Sequence, residues 1–170
     1  MRRPGILLSV LPAALPLGSP ARTQCTNLAV PGLNGCGGFT PFGIPTIACA
    51  GTPSVGNASF AVTAVVPCTV SSPTLLVGTC LASPIVVLGP FGAGGFCGPS
   101  MARCIAFVGP TIFLALPGIA TGLTSFTFPL PIPNDPTLIG ASVCVQEVNF
   151  CNLGAGQCVG ASQGISIAVL

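Results

Sequence analysis

The sequence predicts an all-β fold, an antiparallel β-sandwich of the immunoglobulin-like or jelly-roll-like kind that is stapled by disulfides. Short runs of strand-forming residues alternate with turn residues along most of the chain. The 23 glycines and 19 prolines interrupt every stretch that could hold a helical period, so long helices are not expected. The ten cysteines are an even number, which is typical of a disulfide framework in an oxidising compartment.

Eight segments have the composition of strands. The run 59–66 is rich in β-branched and small apolar residues, and the run 125–132 places Phe126 and Phe128 on one face. Prolines fill part of the opposite face of that second run, which indicates an edge strand or a strand that ends there, because proline donates no hydrogen bond. The other predicted strands are 74–79, 85–88, 104–108, 111–116, 141–148 and 164–170.

The first residues, 1–21, are predicted to be a signal peptide. Arg2 and Arg3 supply its positive start, an apolar stretch follows, and Ser19 and Ala21 are the small residues that a signal peptidase requires. The apolar stretch is too short and too interrupted by proline to span a bilayer. We therefore expect a protein that is secreted or held at the cell surface, with the periplasm or the outer envelope as alternatives.

The remaining chain has the length of one ordinary domain. Residues 22–52 are rich in glycine and proline and are predicted to be an irregular lead-in tied down by disulfides. Residues 53–170 are predicted to be the β-sandwich domain.

The cysteines are expected to pair with one another rather than to bind zinc. No two of them lie closer than seven positions apart, whereas a zinc site uses closely spaced pairs. The predicted disulfide cysteines are Cys25, Cys36, Cys49, Cys68, Cys80, Cys97, Cys104, Cys144, Cys151 and Cys158.

Spacing alone leaves the connectivity of these cysteines open. The two tightest spacings suggest hairpin-tip bridges within 97–104 and within 151–158. A third suggestion is that Cys68 pairs with Cys80 and ties two neighbouring strands.

Charged side chains are scarce. Behind the predicted leader only Arg22, Arg103, Asp135 and Glu147 remain, so the side-chain net charge is about zero. This balance gives no electrostatic attraction to nucleic acid or to an anionic membrane surface. It favours self-association or attachment to an envelope or matrix, because little charge repulsion keeps copies apart.

The sequence predicts no enzymatic activity, no cofactor and no metal. It has no His and no Lys, so only Asp135 and Glu147 are available as bases for a hydroxyl nucleophile. The same two carboxyls are too few to hold calcium. We therefore expect Asp135→Asn and Glu147→Gln to have little effect on binding or assembly.

One segment near the C-terminus predicts a structural corner between two strands. Asn134 and Asp135 are suited to cap the following turn, Pro136 suits the first position of a helical turn, and Gly140 permits a left-handed exit.

The same segment carries a family resemblance. Residues 130–140 (Leu-Pro-Ile-Pro-Asn-Asp-Pro-Thr-Leu-Ile-Gly) and 162–170 (Ser-Gln-Gly-Ile-Ser-Ile-Ala-Val-Leu) resemble the C-terminal half of a family of secreted planctomycete-type proteins. Residues 51–57 (Gly-Thr-Pro-Ser-Val-Gly-Asn) also resemble that family, so the resemblance extends over roughly 51–170. The chain departs from the family in its much higher cysteine content. The resemblance implies a secreted β-sandwich module and implies no activity.

Two functions are compatible with these features. The first is a non-enzymatic structural or interaction module of the cell exterior, which the leader, the cysteines and the scarcity of charge favour. The alternative is a secreted ligand-binding sandwich for glycans. Such sites usually stack sugars on Trp or Tyr, and the chain has neither, although it has ten Phe.

Overall fold

The computed structural model describes residues 24–28, 43–66, 72–87, 104–152 and 157–170. These residues form ten strands and one short 3₁₀ helix. The strands are β1 (Cys25–Asn27), β2 (Thr46–Ala50), β3 (Ala61–Val65), β4 (Thr74–Val87), β5 (Cys104–Pro117), β6 (Ile119–Ala120), β7 (Ser125–Pro129), β8 (Ser142–Asn152), β9 (Gln157–Ala161) and β10 (Ile165–Ala168), and the 3₁₀ helix is Pro136–Leu138.

The strands form two antiparallel sheets. The six-stranded sheet has the order β1-β10-β8-β4-β5, and β9 pairs with β8 beside this path. The four-stranded sheet has the order β2-β3-β7-β6. Buried side chains from both sheets form one hydrophobic core, so the all-β sandwich prediction is confirmed. The core residues are Ile47, Phe60, Val62, Ala64, Val66, Leu75, Val77, Phe126, Phe128, Ile132, Val145, Ile165 and Ile167.

The alternating pattern of 125–132 produces one wall of this core. Phe126 lies opposite Ala64 and Phe128 lies opposite Val62 across the β3–β7 pair, so large side chains fill the space beside smaller ones. Strand β7 ends at Pro129, which confirms the prediction that the strand ends where the prolines occur. The other interpretation, an edge strand, is wrong, because β7 lies between β3 and β6.

A long hairpin replaces four of the predicted short strands. The run 74–79 and residues 85–87 of the run 85–88 belong to the single strand β4, and the runs 104–108 and 111–116 belong to β5. Position 88 lies outside the described residues. The register between β4 and β5 shifts at Val77/Gly78, Gly78/Cys80 and Cys80/Ile85. Such irregularities bend the ladder without ending it, so turn-forming residues can lie inside one continuous strand.

The N-terminal segment 22–52, for which irregular backbone is predicted, contains two strands. Strand β1 pairs with β10 in the six-stranded sheet, and β2 pairs with β3 in the four-stranded sheet. Both strands are short, and the glycines and prolines around them conceal their pattern. The predicted signal peptide lies outside the described residues and stays a prediction. Within the described part, no helix is long and apolar enough to cross a bilayer.

Candidate functional site

Two disulfides are present among the described residues. Cys25 pairs with Cys49 at a Cα–Cα distance of 6.5 Å, and this bond joins β1 of one sheet to β2 of the other. Cys80 pairs with Cys144 at 4.8 Å and joins the neighbouring strands β4 and β8. Disulfides of this kind persist in oxidising compartments, so the structure is consistent with an extracellular or other oxidising location.

These bonds decide one of the three suggested pairings. The bond between Cys80 and Cys144 shows that the suggested pairing of Cys80 with Cys68 is wrong. The sequence could not reveal this, because residues 64 positions apart meet only through the sheet order. Cys151 and Cys158 lie directly opposite each other in the β8–β9 register, and their bond stays a prediction. The 97–104 pairing rests on Cys97, which lies outside the described residues.

The corner between β7 and β8 is a capped turn on the surface. Asp135 is the N-cap of the 3₁₀ helix, where its Oδ1 accepts hydrogen bonds from the backbone N–H of Thr137 at 2.9 Å and from its hydroxyl at 2.8 Å. The backbone hydrogen bond, followed by the side-chain one, lowers the pKa of Asp135. Pro136 begins the helix, and Gly140 has a φ of 85°. Asn134 lies beside Gly56 on the neighbouring loop. These contacts are structural, and they bring no second acidic side chain to Asp135.

A second set of polar residues lies inside the sandwich. Four polar or charged side chains are buried among the described residues, and all four lie on or beside β8. They are Gln146, Glu147, Asn149 and Ser162, which we call the β8 polar cluster. Gln146 is 3% exposed and the other three are completely buried. Buried polar groups are costly unless they are hydrogen-bonded, so a concentration of them at one place requires an explanation.

A β-bulge explains part of the cluster. Val148 pairs with Ala161 and Val145 pairs with Ile165, so the two residues 146–147 of β8 face the three residues 162–164. Strands β9 and β10 therefore act as one long partner of β8, interrupted by one extra residue. Bulges of this kind are common beside functional sites because they change the direction of side chains.

Hydrogen bonds hold the bulge to its surroundings. The backbone N–H of Glu147 donates to Ser162 Oγ at 2.9 Å, and the N–H of Ser162 donates to the Glu147 carbonyl at 2.9 Å. Gln146 donates to the Ser162 carbonyl at 3.0 Å and accepts from the N–H of Phe107 in β5 at 3.1 Å. Gln163 donates to the Ile47 carbonyl in β2 at 3.3 Å. The bulge thus connects both sheets and β5.

Glu147 and Asn149 point to the inner face of the sheet. Successive side chains of a strand alternate between faces, so both share the face of the core residue Val145. Glu147 lies opposite the buried Leu75, and Asn149 lies opposite Gly160. None of their four side-chain oxygen and nitrogen atoms has a hydrogen-bond partner among the described residues.

The environment of Glu147 disfavours its charged form. Desolvation by burial raises the pKa of Glu147 to about 8. Asp135 is the other charged side chain among the described residues, and it is exposed in the corner. An uncompensated charge in a protein interior is so unfavourable that the group binds a proton instead. The described residues also contain no group of three or more His, Cys, Asp or Glu placed to hold a metal.

Sequence reasoning missed this cluster. The sequence places Glu147 in a strand and does not indicate that its carboxyl is completely buried. The expectation that Glu147→Gln has little effect on binding or assembly stays a prediction. The available signal was the segment Gln146-Glu147-Val148-Asn149, in which polar residues occupy both faces of a strand. Such a pattern usually indicates solvent on at least one face, and here β5 and the opposite sheet cover both.

The bulge predicts a steric effect at Gly164. A Cβ atom at this position would collide with the Cβ of Phe107, so we expect Gly164→Ala to lower the free energy of unfolding by about 1 to 3 kcal/mol. Urea unfolding of the oxidised protein measures the change. Gly122→Ala is the matched control, because its Cβ would approach no atom closer than the Cβ of Ser125 at 3.5 Å. Equal stabilities of the two variants would contradict the close packing of β5 on the bulge.

Comparisons with known proteins add no relative to this picture. No family model, curated protein or solved structure matches the chain.

Proposed function

We propose that this protein is a non-enzymatic structural or interaction module of the cell exterior, and that it associates with further copies of itself. The observation that carries the proposal is the nearly uncharged exterior of a cross-linked sandwich. Among the described residues the exposed charged side chain is Asp135, since Glu147 is completely buried. Surfaces with so little charge generate little repulsion between copies.

Strand β5 supports the self-association part of this proposal. It lies at the edge of the six-stranded sheet, spans 14 residues and contains no charged residue. Unpaired edges are usually protected by charge, by proline or by short length, because their free backbone groups can pair with another chain. Pro110 is an interruption of this kind, but residues 111–116 beyond it contain neither proline nor charge.

Exposed apolar side chains occur on the edge strands of both sheets. Ile112 and Leu114 of β5 are 49% and 44% exposed, and Ile119 of β6 is 57% exposed. Strand β6 follows β5 through Gly118 and is the edge of the other sheet. We call Ile112, Leu114 and Ile119 the edge patch. Its apolar surface and the free edge of β5 together suit pairing with a second copy.

Sedimentation over a range of concentrations tests the proposal. We expect oligomers of the oxidised protein to form with rising concentration and to be insensitive to NaCl, because apolar contacts and backbone pairing are screened little by salt. Introducing charges with Ile112→Lys and Leu114→Lys should prevent association and leave the fold intact. Ile139→Lys is the control, since Ile139 is 62% exposed in the corner after β7 and is not part of the edge patch. A monomer at every concentration, with no affinity for envelope fractions, would overturn the proposal.

Glycan binding has less support. Four of the five phenylalanines whose side chains are described are buried, and Phe150 in β8 is the exposed one at 48%. Within the described residues, one exposed ring offers little stacking surface for sugars. Reproducible binding on a glycan array, abolished by Phe150→Ala, would favour this alternative over the structural role.

A further inference from the structure

Two members of the β8 polar cluster, Glu147 and Asn149, have buried polar atoms that require hydrogen-bond partners. The carboxyl oxygens of Glu147 and the amide atoms of Asn149 are all buried, and none has a hydrogen-bond partner in the described part of the chain. Unsatisfied polar groups of this kind are rare in native proteins, and each costs free energy comparable to a lost hydrogen bond. Two such side chains on one strand face indicate that something else satisfies them.

The described residues around Glu147 supply no charge that would neutralise its carboxyl. Across from Glu147 on β4 lies Leu75, and Ser162 of the bulge engages only its backbone. Gly160 of β9 lies opposite Asn149, and Pro45 before β2 borders the same space. None of these residues titrates. Asp135, the other described acidic side chain, belongs to the exposed corner.

A bound cation fits the site poorly. Calcium takes about six to eight oxygen ligands, and this site offers three side-chain oxygens. A proton on Glu147 removes the charge but still leaves Asn149 without a partner. The site therefore requires a neutral carboxyl group and a small guest that both donates and accepts hydrogen bonds.

One water molecule can bridge two side chains that are two positions apart on the same face of a strand. Residues i and i+2 of a strand lie about 6.6 to 7 Å apart at their Cα atoms and point the same way. Two hydrogen bonds of about 2.8 to 3 Å that meet near the tetrahedral angle at one water oxygen span about 4.5 to 5 Å, and the ends of two such side chains can approach to this distance. Gly160 keeps the space beside Asn149 open, because a Cβ there would collide with Asn149 Oδ1. Buried waters typically satisfy polar groups that have no other partner.

We propose that Glu147 and Asn149 form an internal water-binding site, in which one water molecule joins the neutral carboxyl group of Glu147 to the side-chain amide of Asn149. The carboxyl O–H donates to the water, and the water completes its hydrogen bonds with the amide. The site lies on the inner face of β8, beside the bulge whose hydrogen bonds connect the two sheets. The water and the proton on Glu147 therefore stabilise the folded protein at the place where the bulge connects the two sheets.

Two measurements on the full oxidised chain test the proposal. Nuclear Overhauser spectroscopy should show transfer from the Asn149 side-chain NH₂ to a long-lived water. Infrared spectroscopy at about pH 6 should show the band of an un-ionised carboxylic acid. That band belongs to Glu147, because the pKa of Asp135 is lowered and Asp135 is ionised at this pH.

Variants assign both signals. Glu147→Gln should remove the infrared band, and Asp135→Asn should leave it unchanged. Asn149→Leu should abolish the water signal while the infrared band remains. Absence of the water signal in the unaltered protein would overturn the water site, and a fully ionised Glu147 at about pH 6 would overturn the neutral carboxyl. Both of these results come from the unaltered chain, so the test stands even where a variant fails to fold.

Discussion

The free energy of unfolding should fall by about 3 to 5 kcal/mol between pH 4.5 and pH 8, because Glu147 binds its proton more tightly in the folded protein than in the unfolded chain. Burial raises the pKa of Glu147 from 4.5 to about 8. Below pH 4.5 both states are protonated and the stabilisation is complete. As the pH rises toward 8, only the unfolded chain releases the proton, so unfolding becomes progressively easier. Above pH 8 both states are ionised and the slope ends.

Urea unfolding at a series of pH values measures this slope, and Glu147→Gln is the matched control. The amide has nearly the same shape and does not titrate, so the variant should show a flat profile over this interval. Asp135 cannot produce the same effect, because its lowered pKa makes stability fall toward acid pH, below the interval in question. An equally steep slope in Glu147→Gln would show that Glu147 is not the responsible group.

Removing the disulfide between Cys80 and Cys144 should lower the free energy of unfolding by about 4 kcal/mol. The bond closes a chain segment with a sequence separation of 64, and a cross-link across a long segment restricts the unfolded chain strongly. Cys144 is also completely buried, so its replacement by alanine loses packing in addition. Urea unfolding of the variant with both Cys80→Ala and Cys144→Ala measures the loss and leaves no unpaired thiol at either position.

The variant with both Cys25→Ala and Cys49→Ala provides the comparison. Its disulfide has a sequence separation of 24. We therefore expect its free energy of unfolding to fall by about 1 kcal/mol less than that of the Cys80→Ala and Cys144→Ala variant. Alkylation of both unfolded variants without reductant checks that the remaining cysteines have kept their partners. If neither variant were less stable than the unaltered protein, the described disulfides would not be what stabilises the sandwich.

Local periodicity was sufficient to predict much of the core. The alternation of Phe126 and Phe128 and the apolar run 59–66 each follow from neighbouring residues, and they form adjacent strands of the four-stranded sheet. The division of β4 and β5 into four short strands was wrong, because turn residues are compatible with a strand whose register shifts. Whether a glycine ends a strand or bends it depends on the partner strand, which sequence patterns do not show.

The polar cluster could not be predicted, because it depends on which surfaces cover β8. From the sequence alone, Gln146 and Asn149 make this part of the strand look half-solvated. In the structure, Phe107 of β5 reaches the Gln146 face, and Pro45, which precedes β2, reaches the Asn149 face. Both contacts join residues far apart in the chain. The raised pKa of Glu147 is a consequence of this covering and not of its sequence neighbours.

The pairing of β1 with β10 determines how the sandwich would respond to a mechanical load. Cys25 lies opposite Ile167, and Gln24 accepts a hydrogen bond from the N–H of Ala168, so the chain enters and leaves this pair at the same end. Tension on the two ends would open the pair like a zipper, one hydrogen bond after another, because the bonds run perpendicular to the strands. Because Cys25 is the first residue of β1, its covalent link to Cys49 would transfer the load to β2 before Thr26 and Asn27 separate from β10. In a matrix under strain, the disulfide would limit how far the first strand can be peeled away.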